Sequence, residues 1–293
     1  MRDERDVLRV GDQDAQEAAA EAFFRTELAD VRSSAGRRFG EKFVLAALES
    51  LPWVGVFVAA GAATRDAADG ARTDRLQTLW LEQFSEKFRR LRALLDEMGT
   101  RFDALGDEVH ARVESEEYLQ IVRKAFRAWD RAETDEKQRY FANLLMNAGA
   151  GATVTSDDIV RLFIEWIDTY NEAHFSVIKQ VYDHPSGITR KAIWLGIHGA
   201  IPREDSAEAD LFRLLIYDLN TGRVVRQHRD TTPDGAFLEK PRAPRSNAVP
   251  AGTRRTVETS FEDKEPYVLT ALGKDFVHYV MTEYTTRLSE GSR

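Results

Sequence analysis

The spacing of apolar residues predicts that the N-terminal part of the chain is a helical bundle. Between Leu76 and Val109, apolar side chains recur every three or four residues, and Arg, Glu and Asp fill most positions between them. This period places the apolar side chains on one face of a long amphipathic helix, which buries that face against neighbouring helices. Shorter helices are predicted over residues 14–31, 117–132, 135–147 and 156–170. Together these helices predict a first domain over residues 1–170.

The most hydrophobic part of the chain, residues 43–64, leaves three interpretations open. Pro52 interrupts it, so the first interpretation is a buried helical hairpin that bends at this residue. Its length is close to the roughly 20 residues that cross a bilayer, so the second is conditional insertion into a membrane. The third is a protein interface, because Trp53, Val54 and Phe57 would form an apolar patch.

After about residue 170 the pattern changes to short elements. Helices are predicted over residues 174–183, 190–197 and 206–220, and extended segments over residues 223–230, 256–261 and 267–270. Between the extended segments, residues 231–255 contain four prolines and few apolar residues, which predicts a long mobile loop. Residues 171–293 are therefore predicted to form a second domain of the α+β class.

The end of this second domain resembles the last strand and helix of prokaryotic winged-helix domains. There, a strand reading Y-x-L-T precedes x-x-G and a helix with an aromatic residue. The matching residues here are Tyr267, Leu269, Thr270, Gly273 and Phe276. The resemblance implies that Thr270 caps the last helix and that loop 231–255 is the wing. The expected fold class is mainly α, with an N-terminal helical bundle followed by an α+β winged-helix-like domain.

Charge is distributed unevenly along the chain. The formal net charge is -8, but residues 171–293 hold 17 Lys and Arg against 17 Asp and Glu, so the acidic excess lies in residues 1–170. Residues 223–255 are basic, and we expect any contact with nucleic acid or another anion there. The candidate contacts are Arg223, Arg226, Arg229, Arg242, Arg245, Arg254 and Arg255. The helix predicted over residues 206–220 is acidic, which argues against its insertion into a DNA major groove.

The composition excludes several kinds of catalytic and metal site. The chain has no cysteine, which rules out disulfides, thiolate metal sites and cysteine nucleophiles. Its six histidines form no metal-binding motif, and the sequence contains no glycine-rich phosphate-binding loop. We therefore expect a non-enzymatic protein without a cofactor or a metal. The lack of cysteine and of a secretory signal predicts a cytoplasmic location.

A second resemblance suggests a biological role. The stretch from Arg123 to Leu145 contains R-K-A-F-R-A-W-D-R-A followed by D-E-K-Q-R-Y-F-A-N-L-L. It resembles a segment of poorly characterised bacterial abortive-infection proteins, which implies a role in antiviral defence and brings no catalytic residue. The first functional hypothesis is a bacterial interaction protein that binds a protein partner, forms a homo-oligomer or acts at a membrane. The alternative is a winged-helix regulator that binds nucleic acid such as DNA.

Overall fold

The computed structural model describes residues 41–54, 71–105, 107–150, 156–234, 236–238 and 259–282, which form a mainly helical structure with one small two-stranded sheet. The prediction of a mainly helical chain is confirmed. The α-helices are α1 (Glu41–Glu49), α2 (Ala71–Asp103), α3 (Asp107–Val113), α4 (Glu116–Arg131), α5 (Asp135–Gly149), α6 (Asp157–Thr169), α7 (Glu172–Tyr182), α8 (Arg190–His198), α9 (Ala207–Thr221) and α10 (Ala271–Phe276). A short π-helix, Val277–Met281, continues α10. The strands are β1 (Val225–Gln227) and β2 (Tyr267–Leu269). The helix predicted over residues 14–31 lies outside the described residues.

The chain divides into two compact units. The first contains the described residues up to Asp168, and the second is Thr169–Thr282. We call them the N-terminal unit and the C-terminal unit.

Aromatic side chains from three helices meet in the core of the N-terminal unit. The ring of Phe43 in α1 lies 6.1 Å from Phe102 of α2, and 6.2 and 6.4 Å from Tyr118 and Phe126 of α4. All four side chains are at most 1% exposed. Burying an aromatic side chain of this size stabilises a fold by about 1.5–3 kcal/mol, so this cluster is a main source of stability in the unit.

The long amphipathic helix ends earlier than its apolar spacing predicts. Its most deeply buried side chains include Phe88, Leu91, Leu95 and Met98. However, α2 ends at Asp103, and Val109 belongs to α3, which begins after a turn. Gly106 lies between the two helices in the sequence, and glycine is less favourable in a helix than alanine by about 1 kcal/mol. The apolar period therefore continues across two helices rather than one.

The C-terminal unit has its own aromatic core. The ring of Phe212 in α9 stacks on Phe261 at 5.6 Å and meets Trp194 of α8 edge-on at 5.2 Å. Ser260 and Phe261 lie in a turn, so the extended segment predicted over residues 256–261 is wrong for its described end. Phe261 anchors this turn to the core instead of belonging to a strand.

The two strands and one further residue form the sheet of this unit. β1 and β2 are antiparallel, with Val225 opposite Leu269 and Gln227 opposite Tyr267. Ile188, which lies between α7 and α8, also forms a bridge with Tyr267 through two backbone hydrogen bonds of 3.0 and 2.8 Å. The start of α8 is thereby held next to β2.

Local geometry explains how β2 leads into α10. The hydroxyl of Thr270 accepts a hydrogen bond of 2.9 Å from the N–H of Gly273, so the predicted helix cap is confirmed. A Cβ atom on Gly273 would collide with the carbonyl of Val224, which precedes β1. Glycine is therefore required where α10 crosses the start of β1.

Candidate interaction surfaces of the C-terminal unit

Four arginines line a cavity of about 380 Å³ in the C-terminal unit. Three of them follow α9 in the sequence, and Arg190 is the first residue of α8. The described residues that line the cavity are Arg190, Asn220, Arg223, Arg226, Gln227, Arg229, Phe237 and Tyr267. We call this cavity the arginine pocket. It brings together the three predicted anion contacts that fall within the described residues.

Strand pairing brings Arg190 into the pocket. Its Nε and Nη2 atoms donate hydrogen bonds of 3.1 and 2.8 Å to the hydroxyl of Tyr267. The bridge between Ile188 and Tyr267 lies only two residues before Arg190, so it fixes the distance between them. The Tyr267 oxygen accepts both bonds and keeps its own proton for donation. Neither Arg190 nor Tyr267 was predicted as a site residue from the sequence.

Arg223 has an unusual backbone conformation. Its φ is 62°, in the left-handed region that L-residues other than glycine, asparagine and aspartate rarely adopt. The N–H of Arg223 donates to the carbonyl of Asn220 at 3.1 Å, and its own carbonyl accepts a bond of 2.5 Å from the Thr270 hydroxyl. This conformation costs roughly 1–2 kcal/mol, which these bonds offset. Backbone hydrogen bonds therefore hold Arg223 in this conformation in the lining of the pocket.

Arg226 is oriented by an aromatic ring. Its guanidinium lies 4.7 Å from the centre of the Phe237 ring, a favourable cation–π distance. Phe237 is brought there by a tight turn, in which Thr231 and Phe237 form a bridge and the N–H of Thr232 donates to the Ala236 carbonyl at 2.8 Å. The beginning of the predicted wing loop is thus an ordered turn. Arg242, Arg245, Arg254 and Arg255 lie outside the described residues.

The described lining of the arginine pocket contains no carboxylate. Cations elsewhere in the same unit do have acidic partners: Arg203 pairs with Asp205 at 2.8 Å, and Arg213 pairs with Glu204 at 3.1 Å. Within the part of the chain that the structure describes, Arg223, Arg226 and Arg229 form no salt bridge with a carboxylate. The pocket therefore carries an excess of positive charge, which favours binding of an anion.

The outward face of α9 is apolar. Leu211, Leu214 and Tyr217 follow one another at intervals of three residues and are 46%, 52% and 65% exposed. The side chains that α9 buries lie on its opposite face and include Phe212, Leu215, Ile216 and Leu219. Asp210 is also exposed, one turn before Leu214. We call Asp210, Leu211, Leu214 and Tyr217 the outer face of α9.

A buried polar cluster joins α7 to α9. His174 is 6% exposed, its ring stacks on Tyr170 at 4.9 Å, and its Nε2 lies 3.5 Å from a carboxylate oxygen of Asp218. Burial, with a contribution from the Asp218 charge, raises the pKa of Tyr170 to about 12. The phenol therefore stays protonated at neutral pH. The cluster ties two helices together rather than forming an accessible reactive site.

The predicted patch at Trp53, Val54 and Phe57 needs correction. Trp53 and Val54 are only 6% and 5% exposed, and the Trp53 indole N–H donates to Asp130 at 2.8 Å. These two side chains belong to the core of the N-terminal unit and present no surface to a partner or a membrane. Phe57 lies outside the described residues. In the described ranges, no helix is both long enough and apolar enough to cross a membrane.

Neither a metal-binding cluster nor a relative provides further guidance. Across the residues that the structure describes, no three His, Asp or Glu side chains come together as a metal site would require. Comparisons with protein-family models, with curated proteins and with solved structures found no match. Functional inference for this chain therefore depends on its two described surfaces, the arginine pocket and the outer face of α9.

Proposed function

We propose that this chain is an interaction protein whose C-terminal unit is a winged-helix-like module that binds a protein partner through α9. The order of elements supports this assignment, because α7, α8 and α9 precede β1, the turn at residues 231–237 and β2. The isolated bridge between Ile188 and Tyr267 also supports it, because winged-helix sheets have a short strand between their first two helices and Ile188 lies between α7 and α8. In this arrangement α9 occupies the position of the recognition helix.

The outer face of α9 is the observation that carries the proposal. A helix at the surface needs apolar side chains only where it meets the core, and α9 already has such a face. Leu211, Leu214 and Tyr217 form a second, exposed apolar row on the same helix. Contiguous exposed apolar side chains with polar neighbours are typical of sites where proteins bind one another.

The charge of this face favours a protein over DNA. Asp210 lies among the exposed apolar residues and Glu208 precedes it by two positions. Insertion of this helix into a major groove would bring both carboxylates close to phosphates, which is unfavourable. A partner that presents apolar side chains flanked by Lys or Arg would complement both the apolar row and the acidic residues.

The same charges disfavour pairing of α9 with a second copy of itself. In an antiparallel pair centred on Leu214, Asp210 of one copy would face Asp218 of the other. Like charges opposite each other oppose association, so we commit to a different protein as the occupant of this face.

Site-specific photo-crosslinking in the native cell tests this proposal. A photoreactive residue at position 214 should form a defined cross-linked species, whereas one at Tyr182, which is 51% exposed on α7, should not. Leu214→Asp should abolish binding of the identified partner without lowering the melting temperature, and Tyr182→Asp serves as the matched control. The proposal fails if the two positions cross-link alike, or if a dimer of this chain is the only product.

A role in antiviral defence is the broader part of the proposal, and only the resemblance of residues 123–145 supports it. Within that segment, Phe126, Trp129 and Leu145 are buried, so these matching apolar residues belong to the core of α4 and α5. Phages should form fewer plaques on cells that carry the unmodified chain than on cells that carry Leu214→Asp. Equal plaque counts across a phage panel would contradict the defence role and leave partner binding to the cross-linking test.

A further inference from the structure

The arginine pocket and the outer face of α9 are separate features of the C-terminal unit, so the pocket calls for a ligand of its own. The described lining combines four guanidinium groups, two side-chain amides, a phenol and a phenyl ring. Guanidinium groups bind phosphate in a bidentate manner, and the amides and the phenol add neutral hydrogen-bond donors. We propose that the arginine pocket binds the 5′-phosphate groups of a nucleotide.

The number of arginines indicates how much negative charge the ligand carries. A phosphate monoester carries about −1.5 to −2 charges at pH 7. Arg223, Arg226 and Arg229, which pair with no carboxylate among the described residues, supply three positive charges. These balance about two phosphate groups, which is the charge of a nucleoside diphosphate rather than of a single phosphate ion.

The pocket is ordered for binding before a ligand arrives. Arg190 is held by the Tyr267 hydroxyl, Arg226 by the Phe237 ring, and the backbone of Arg223 by Thr270. The Phe237 ring holds Arg226, and the Thr270 hydroxyl holds the backbone of Arg223, without neutralising either charge, unlike the salt bridge of Arg213 with Glu204. Fixing the arginines in advance lowers the entropy that binding would otherwise cost.

Size and aromatic surface favour a nucleotide over a DNA duplex. A volume of about 380 Å³ lies at the lower end of the range for small-molecule sites, and a duplex could not enter it. Phe237 remains 53% exposed beside the arginines, which leaves ring surface for stacking with a base. Two sources share this chemistry, a free nucleotide and the 5′-phosphorylated end of a single strand.

Calorimetric titration of the full chain at about 0.15 M ionic strength tests the proposal. The probes are inorganic pyrophosphate, ATP, and a short single-stranded DNA with either a 5′-phosphate or a 5′-hydroxyl. We expect saturable binding of ATP and pyrophosphate, of the phosphorylated strand in preference to the hydroxyl strand, or of both. Stronger binding of ATP identifies a free nucleotide as the source, and stronger binding of the phosphorylated strand identifies a strand end.

Two substitutions test whether the arginines bind these probes. Arg223→Asn removes the charge while asparagine tolerates the left-handed conformation, and Arg226→Gln removes the cation over Phe237. Each should weaken binding about tenfold or more, because a charge-assisted contact to phosphate is lost. Arg203→Gln is the matched control, since Arg203 is 84% exposed outside the pocket, and it should leave the affinity within about twofold.

The proposal is overturned if no probe binds with a dissociation constant below about 1 mM, or if all three variants bind as tightly as the unmodified chain. Equal binding of the 5′-hydroxyl and 5′-phosphorylated strands, without binding of ATP, also overturns it. If a pocket variant does not fold, protection of the pocket arginines from chemical modification is measured in the unmodified chain instead. A bound nucleotide should shield Arg223 and Arg229 from phenylglyoxal, and equal modification with and without nucleotide contradicts the proposal.

Discussion

Two cavities of similar size differ in how their arginines are paired. The cavity between α2 and α5 in the N-terminal unit has a volume of about 410 Å³, and the arginine pocket one of about 380 Å³. In the first cavity Arg90 pairs with Asp135 and Arg101 pairs with Glu97, both at 2.6 Å. In the second, Arg223, Arg226 and Arg229 form no ion pair with any carboxylate among the described residues.

The difference shows that an arginine-lined cavity is not by itself a binding site. Where a carboxylate balances each guanidinium, an incoming anion must displace it and gains little. Where the guanidinium groups have no such carboxylate among the described residues, as at Arg223, Arg226 and Arg229, their charge is still available. We therefore interpret the N-terminal cavity as a gap between packed helices and the arginine pocket as a site.

The largest expected effect lies in the core of the N-terminal unit. Phe102 is fully buried and its ring touches the backbone of α5 at Gly149, so Phe102→Ala should lower the free energy of unfolding of this unit by about 3–5 kcal/mol. Denaturant unfolding measures this loss, with Phe102→Leu as a milder control. Pyrophosphate affinity should remain within about twofold, because the pocket lies in the other unit. A large loss of affinity in a folded variant would contradict the division of roles.

An intermediate effect is expected when the arginine pocket is given the charge balance of the other cavity. Gln227→Glu would place a carboxylate among the four arginines and should lower pyrophosphate affinity by about tenfold or more. The same change should raise the melting temperature slightly, since a partly exposed ion pair adds about 0–1 kcal/mol. The matched control is Gln138→Glu in the N-terminal cavity, which should change neither quantity appreciably. Undiminished pyrophosphate affinity in Gln227→Glu would show that the positive charge of the pocket does not determine binding.

The smallest expected effect concerns Glu204, the carboxylate that pairs with Arg213 in the C-terminal unit. Burial acts to raise the pKa of Glu204, but hydrogen bonds from Thr259 and Ser260 and the charge of Arg213 outweigh it, so the pKa is lowered. A lowered pKa means that the carboxylate adds stability above its unfolded pKa of about 4.3 and loses this contribution as the pH falls through its folded pKa. Glu204→Gln should therefore lower the melting temperature at pH 7 and have little effect near pH 3. An equal difference at both pH values would contradict the cited shift.

Local signals in the sequence predicted local features well. Thr270 caps α10 as predicted, because a hydroxyl next to a helix start satisfies N–H groups that no carbonyl reaches. The basic stretch likewise pointed to Arg223, Arg226 and Arg229.

The other features of the site depend on contacts between residues that are far apart in the sequence. Arg190 and Tyr267 are 77 positions apart and meet only because Ile188 pairs with β2. No sequence motif marks the left-handed backbone of Arg223. The sequence left the burial of Trp53 and Val54 open, because hydrophobicity alone does not tell a buried anchor from an exposed patch.

The arginine side-chain signals in an NMR titration test the central claim most directly. Adding pyrophosphate to the full chain should shift the Nε–H resonances of Arg190, Arg223, Arg226 and Arg229 with one common saturation curve. Those of Arg203 and Arg213, which pair with carboxylates, should stay in place. Equal shifts in all six arginines, or none in the pocket, would contradict the account.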